Sequence, residues 1–130
     1  MITNFEKITS DLTDVELALI PYIVTGLKNF NKENAIKAPR LIQMINATNS
    51  LNHKLTEPRL RKMVNYIRSN GLLPLIATSK GYYVSHDRKE IEAQIESLLQ
   101  RANSIIQSAN GMQHYLRQMK ETFTDENLGI

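Results

Sequence analysis

Read for its apolar positions, the chain divides into three short helical stripes, two strand-like runs and one long helical stripe. In the first stripe, Leu17, Ile20, Val24 and Leu27 recur at the spacing of one helix face. Thr13 and Glu16 stand where a capping box needs them, with Leu12 and Leu17 at the flanking staple positions. Pro21 lies inside this stripe and predicts a bend or an unpaired carbonyl, not a break, because the apolar spacing continues past it. Gly26 and the polar run 29–34 end the helix. Ala38-Pro39 opens a second helix whose buried face is Leu41, Ile42, Met44 and Ile45. The polar stretch 46–53 reads as a turn, with Leu51 and Leu55 anchoring it to the core.

The third stripe is Leu60, Met63, Val64 and Ile67. Thr56 supplies a capping hydroxyl, and Glu57 and Pro58 fall in the first turn, where a missing N–H costs nothing. Asn70-Gly71 stops the helix. Residues 72–78 and 82–85 then read as strands around a tight turn, Ser79-Lys80-Gly81. Away from the apolar stripe, the third helix carries Arg61, Lys62, Asn65 and Ser69, with Arg59, Tyr66 and Arg68 on its flanks.

From Asp87-Arg88 onward the longest stripe begins. Ile91, Ile95, Leu98, Ala102, Ile105, Ala109, Met112, Leu116 and Met119 alternate spacings of four and three without a slip. A heptad repeat of that length predicts a coiled-coil-like helix. Leu99 and Ile106 widen the stripe, and Gly111 weakens its middle by about 1 kcal/mol relative to alanine. A helix packed back on its own domain would show the same stripe.

Charge sharpens this reading. The chain has 130 residues and a formal net charge of +3. Residues 54–89 hold eight lysines and arginines against two acids, a local balance of +6, so the remainder sums to −3. The basicity is concentrated in the third helix and hairpin, as a polyanion-binding surface requires. With no cysteine, the chain offers no disulfide, thiolate zinc site or thiol nucleophile, consistent with a reducing cytoplasm. The N-terminus is polar and acidic, unlike a secretory leader, and the apolar runs fall short of the ~20 residues a membrane span needs. A bacterial or phage-infected cytoplasm is the expected location.

Three helices followed by a hairpin is the order of a winged helix-turn-helix. The expected architecture is therefore mainly α with a small β-hairpin: an arm at 1–11, a winged-helix domain at 12–87, a long C-terminal helix for self-association at 88–124 and a tail at 125–130. The stretch Glu57-Pro58-Arg59-Leu60-Arg61-Lys62-Met63-Val64-Asn65-Tyr66-Ile67-Arg68-Ser69-Asn70-Gly71, with Ile76-Ala77-Thr78-Ser79-Lys80-Gly81-Tyr82-Tyr83-Val84, resembles the recognition-helix-and-wing block of small winged-helix proteins of bacteriophages and prophages. The resemblance covers roughly residues 12–110. It implies a DNA-binding type of fold and brings no catalytic motif. The long turn at 46–53 departs from the commoner short-turn versions.

The expected function is binding of double-stranded DNA, in a regulatory or replication-associated role, by a recognition helix (56–70) and a wing (76–85). Arg59, Arg61, Lys62 and Asn65 are the candidates for base edges, since arginine pairs with guanine and asparagine with adenine. Lys54, Arg68 and Lys80 suit phosphates, with hydroxyls from Thr78 and Ser79. Tyr66, Tyr82 and Tyr83 are read as packing residues. The nine stripe residues Ile91 to Met119 are the self-association candidates, giving a homodimer. The rival reading is a protein-interaction module in which the winged helix is scaffold and the long helix recruits a partner. No enzyme, cofactor or metal is expected: His53, His86 and His114 stand far apart, and neither a glycine-rich phosphate loop nor a nucleophile elbow occurs.

Overall fold

Capping, apolar spacing and two glycines divide the chain in the expected order. The computed structural model describes residues 10–48 and 54–127, with side chains to Met119. The expected contributions of residues 1–9, Leu51, His53 and 128–130 lie outside the described residues. Helix α1 spans Asp14–Leu27, a 3-10 turn spans Lys32–Asn34, α2 spans Ala38–Thr48 and α3 spans Glu57–Ser69. Strands β1 (Leu75–Thr78) and β2 (Gly81–Val84) follow, and α4 spans Arg88–Asn127. The fold is mainly helical, with one two-stranded antiparallel sheet and a long C-terminal helix.

The capping box of α1 forms as expected: Thr13 Oγ1 accepts from the Glu16 amide at 3.2 Å, and Glu16 Oε1 accepts from the Thr13 amide at 2.9 Å. The buried face differs. It is Glu16, Leu19, Ile20, Ile23 and Leu27, while Leu17 is exposed and Val24 only partly buried. The face is rotated because Glu16 turns inward to Arg59. The helix runs through Pro21, whose missing N–H deprives the Leu17 carbonyl of its usual donor. Both residues are exposed, where solvent can serve that carbonyl.

Helix α2 buries Leu41 and Ile45 and packs Ile42 against the core. Met44, expected inside, is exposed because it lines an open groove between α1 and α2 with Leu19, Tyr22 and Phe30. The helix also runs two residues beyond Asn46, where a turn was expected. Thr48 Oγ1 donates to the Met44 carbonyl at 3.0 Å, and Asn46 Oδ1 accepts from the Leu55 amide at 2.9 Å. Buried Leu55 thus anchors the approach to α3.

Helix α3 buries Leu60, Met63, Val64 and Ile67, and also Arg59. Thr56 occupies the N-cap position, but its hydroxyl makes no capping bond. At the other end Gly71 has φ +63°, the Gly71 amide donates to the Arg68 carbonyl and the Leu72 amide to the Ile67 carbonyl. That pair of bonds is a Schellman motif, which glycine permits. Leu27, Leu60, Met63 and Ile67 form the fully buried centre where α1 meets α3.

The hairpin is tighter than expected. Thr78 pairs with Gly81, so the loop is Ser79-Lys80 alone and Gly81 opens β2. The first strand begins at Leu75, after Pro74, which cannot donate to a ladder. Ile36 joins the sheet through one bridge, exchanging both backbone bonds with Tyr82 at 2.9 and 2.7 Å. Gly81 has φ +124°, and a Cβ there would collide with the Ile36 carbonyl. Glycine is required by both conformation and space.

A polar cluster starts α4. Asp87 Oδ1 accepts from the Lys89 amide at 2.9 Å, while Ser85 accepts from the Asp87 amide and donates to Glu90. Lys32 pairs with Glu90 at 3.3 Å. The Ser85 hydroxyl first, then Lys32, hold the Glu90 carboxyl below its ordinary pKa, and Glu90 raises that of Lys32. The helix then runs for 40 residues, about 60 Å, through Gly111 without interruption. It extends beyond the expected end at 124. The chain divides into two compact units between Ile91 and Glu92. Among the described residues no helix is long and apolar enough to cross a membrane.

Candidate nucleic-acid interface

Because Leu60, Met63, Val64 and Ile67 turn inward, the opposite face of α3 presents Arg61, Asn65 and Ser69 one turn apart, all exposed. Lys62 is half-buried beside them, and Tyr66 is exposed, not packed as expected. Lys54 is exposed ahead of α3. Among the described residues no ion pair engages Lys54, Arg61, Lys62 or Lys80.

The hairpin tip adds Thr78, Ser79 and Lys80, all exposed. Thr78 Oγ1 accepts from the Lys80 amide at 3.2 Å, which closes the turn and leaves the hydroxyl proton available to donate. Tyr83 is buried and Tyr82 partly buried against the core, as expected, so they support the hairpin from beneath.

Two expected contacts are spent elsewhere. Arg59 is buried: its Nε and Nη2 donate to the Glu16 carboxylate at 2.9 and 2.6 Å. Its remaining N–H groups reach the Ser10 and Asp11 carbonyls at 2.7 and 3.1 Å. The guanidinium therefore ties α3 to the start of α1 and to the arm before it, and cannot reach a base edge. Burial alone would push the Glu16 carboxyl up, but the Arg59 bonds and the Thr13 amide outweigh it and hold the pKa at about 2. Arg68, half-buried, donates from Nε to the Leu75 carbonyl at 3.0 Å and fastens the hairpin to α3. It acts as a strut between helix and strand.

The set that remains is Lys54, Arg61, Asn65, Thr78, Ser79 and Lys80, all exposed, with the half-buried Lys62. Counting charge by segment missed Lys37 and Arg40, which are exposed at the start of α2; Arg40 bonds Gln43 at 3.1 Å. On α4, Ile95, Ala102, Ile105, Ala109, Met112, Leu116 and Met119 are exposed, whereas Ile91 and Leu98 are half-buried. His86 and His114 are both exposed. Among the described residues no group of three or more His, Cys, Asp or Glu side chains gathers as a metal site needs.

Comparison of the chain with models of known families, with curated proteins and with solved structures finds no match in any of the three.

Proposed function

We propose that the first unit is a winged-helix module that binds double-stranded DNA, and that α4 joins two copies of the chain. Helix α3 enters the major groove with Arg61, Lys62 and Asn65 toward base edges, and the hairpin lays Lys80 against a neighbouring phosphate. Lys54 neutralises the backbone at the approach to the helix. The supporting observation is the basic, solvent-facing side of α3, whose cations no acid among the described residues engages. The role is binding, not catalysis.

Affinity for mixed-sequence duplex, measured at about 50 and about 200 mM salt, tests this reading. Binding should weaken steeply between the two. A wild-type protein that binds no duplex at the lower salt overturns it. The exposed stripe of α4 favours a second reading in that event, a module whose long helix recruits another protein.

A further inference from the structure

The apolar face of α4 carries more than a parallel two-stranded seam uses. Written as heptads, Ile95, Ala102, Ala109 and Leu116 occupy a, and Ile91, Leu98, Ile105, Met112 and Met119 occupy d. Leu99 and Ile106 fall at e and are exposed, at 62% and 56%.

In a parallel, in-register pair each layer meets its own copy. Ala102 would face Ala102 and Ala109 would face Ala109, leaving two successive a layers underfilled. Leu99 and Ile106 would lie against Gln94 and Arg101, the g residues of the other chain. Reversing one helix removes both faults, because a then meets d. A single offset aligns Ile91 with Leu116, Ile95 with Met112, Leu98 with Ala109 and Ala102 with Ile105. Each alanine now faces a large side chain. Leu99 falls beside Ile106 along the e edge.

The area suffices. The large side chains exposed on α4 are Ile95, Leu99, Ile105, Ile106, Met112, Tyr115, Leu116 and Met119. At roughly 60–120 Å² each they offer on the order of 700 Å² per chain. A pair therefore buries about 1,400 Å², within the range of stable interfaces.

We propose that α4 pairs with α4 of a second copy of this chain in antiparallel orientation, with Ala102 facing Ile105 and Leu98 facing Ala109. This rests on the self-association reading and specifies its geometry. The two starts of α4 then lie about 45 Å apart along the pair, more than the ~34 Å of one duplex turn.

The chain has no cysteine, so single cysteines report cleanly on the geometry. Ile95→Cys and Met112→Cys alter exposed positions of α4. An oxidised mixture of the two variants should give a disulfide between them, and Leu98→Cys mixed with Ala109→Cys should do the same. Ile95→Cys alone should give none, since its two copies lie about 25 Å apart in the antiparallel pair. Ready self-crosslinking of Ile95→Cys, without the mixed product, overturns the antiparallel pairing and leaves self-association standing. No crosslink in any arm, with a monomeric mass at tens of micromolar, overturns both. Neither readout depends on DNA binding.

Discussion

Glu16 and Arg59, 43 residues apart, form a buried ion pair at 2.6 Å between α1 and α3. Glu16 is 1% exposed and Arg59 8%. One carboxylate closes the capping box of α1 and receives the guanidinium of α3, so a local signal and a long-range contact meet in one side chain. Removing either partner strands the other charge, which costs about 3–5 kcal/mol. Arg59→Ala should lower the denaturant midpoint substantially, whereas replacing both residues with apolar ones of similar volume should recover much of the loss. An unchanged midpoint for Arg59→Ala would show that the pair contributes nothing.

The same pair predicts a pH dependence. The folded Glu16 carboxyl is held at about 2, below its ordinary value of 4.5. Its contribution, on the order of 3 kcal/mol, is therefore present above about pH 4.5 and is lost as pH falls toward 2. The stability gap between wild type and Glu16→Gln should be wide at pH 7 and narrow steadily on acidification below about 4.5. A gap that stays constant from pH 7 to pH 3 contradicts this.

The burial of Arg59 turns on a contact that local spacing does not mark. Element order, the α1 cap, the hairpin and the long helix were all legible, because each is written in local spacing or in a single punctuating residue. The inward turn of Glu16 was not, since its cause lies on another helix. A signal did exist: Arg59 heads the stripe Arg59-Met63-Ile67, and Glu16 heads Glu16-Ile20-Ile23-Leu27. Opposite charges on two core-facing stripes need each other once buried. The Arg68 bond is illegible for a related reason, as its partner is a backbone carbonyl that no sequence pattern marks. Among the described residues no such bond competes for the exposed Arg61, Asn65 and Lys80 side chains, which stay where spacing put them.

For the proposed duplex-reading face, Arg61→Ala with Lys62→Ala should weaken binding while leaving stability within about 0.5 kcal/mol each, as expected of substitutions away from the core. As base-edge contacts their loss should vary with the base sequence, whereas a lost phosphate contact such as Lys80 should flatten the log–log salt slope by about 0.9. Lys80→Ala should give a smaller loss, similar for all sequences. Arg68→Ala should do the reverse and lower stability, because it frees the hairpin from α3. Equal affinity of the double variant and wild type at low salt would remove α3 from the interface.

Two glycines should respond oppositely to alanine. At Gly81 a Cβ would strike the Ile36 carbonyl in a backbone conformation that L residues avoid, so Gly81→Ala should cost at least about 1–3 kcal/mol. At Gly111 nothing lies within 4 Å of the added methyl. Gly111→Ala should therefore strengthen α4 by about 1 kcal/mol and raise the helical circular dichroism signal. If Gly81→Ala were neutral in thermal melting, the Ile36 bridge would not be holding the hairpin.

The exposed stripe of α4 gives the prediction closest to function. Ile105 is 69% exposed and stands at the middle of the stripe. Ile105→Arg would place an unpaired charge in a self-association seam, which should dissociate the pair. Because Ile105 is not one of the buried core residues, each unit should keep its fold and its melting temperature. Duplex affinity should fall through loss of avidity, by an amount that depends on how two binding units are linked. Ser104→Arg, one position off the seam, is the matched control and should leave mass and affinity unchanged. Sedimentation decides the matter: wild type must be heavier than a monomer at tens of micromolar, and Ile105→Arg must not be. A variant that stays associated moves the seam away from Ile105, and a monomeric wild type removes it altogether.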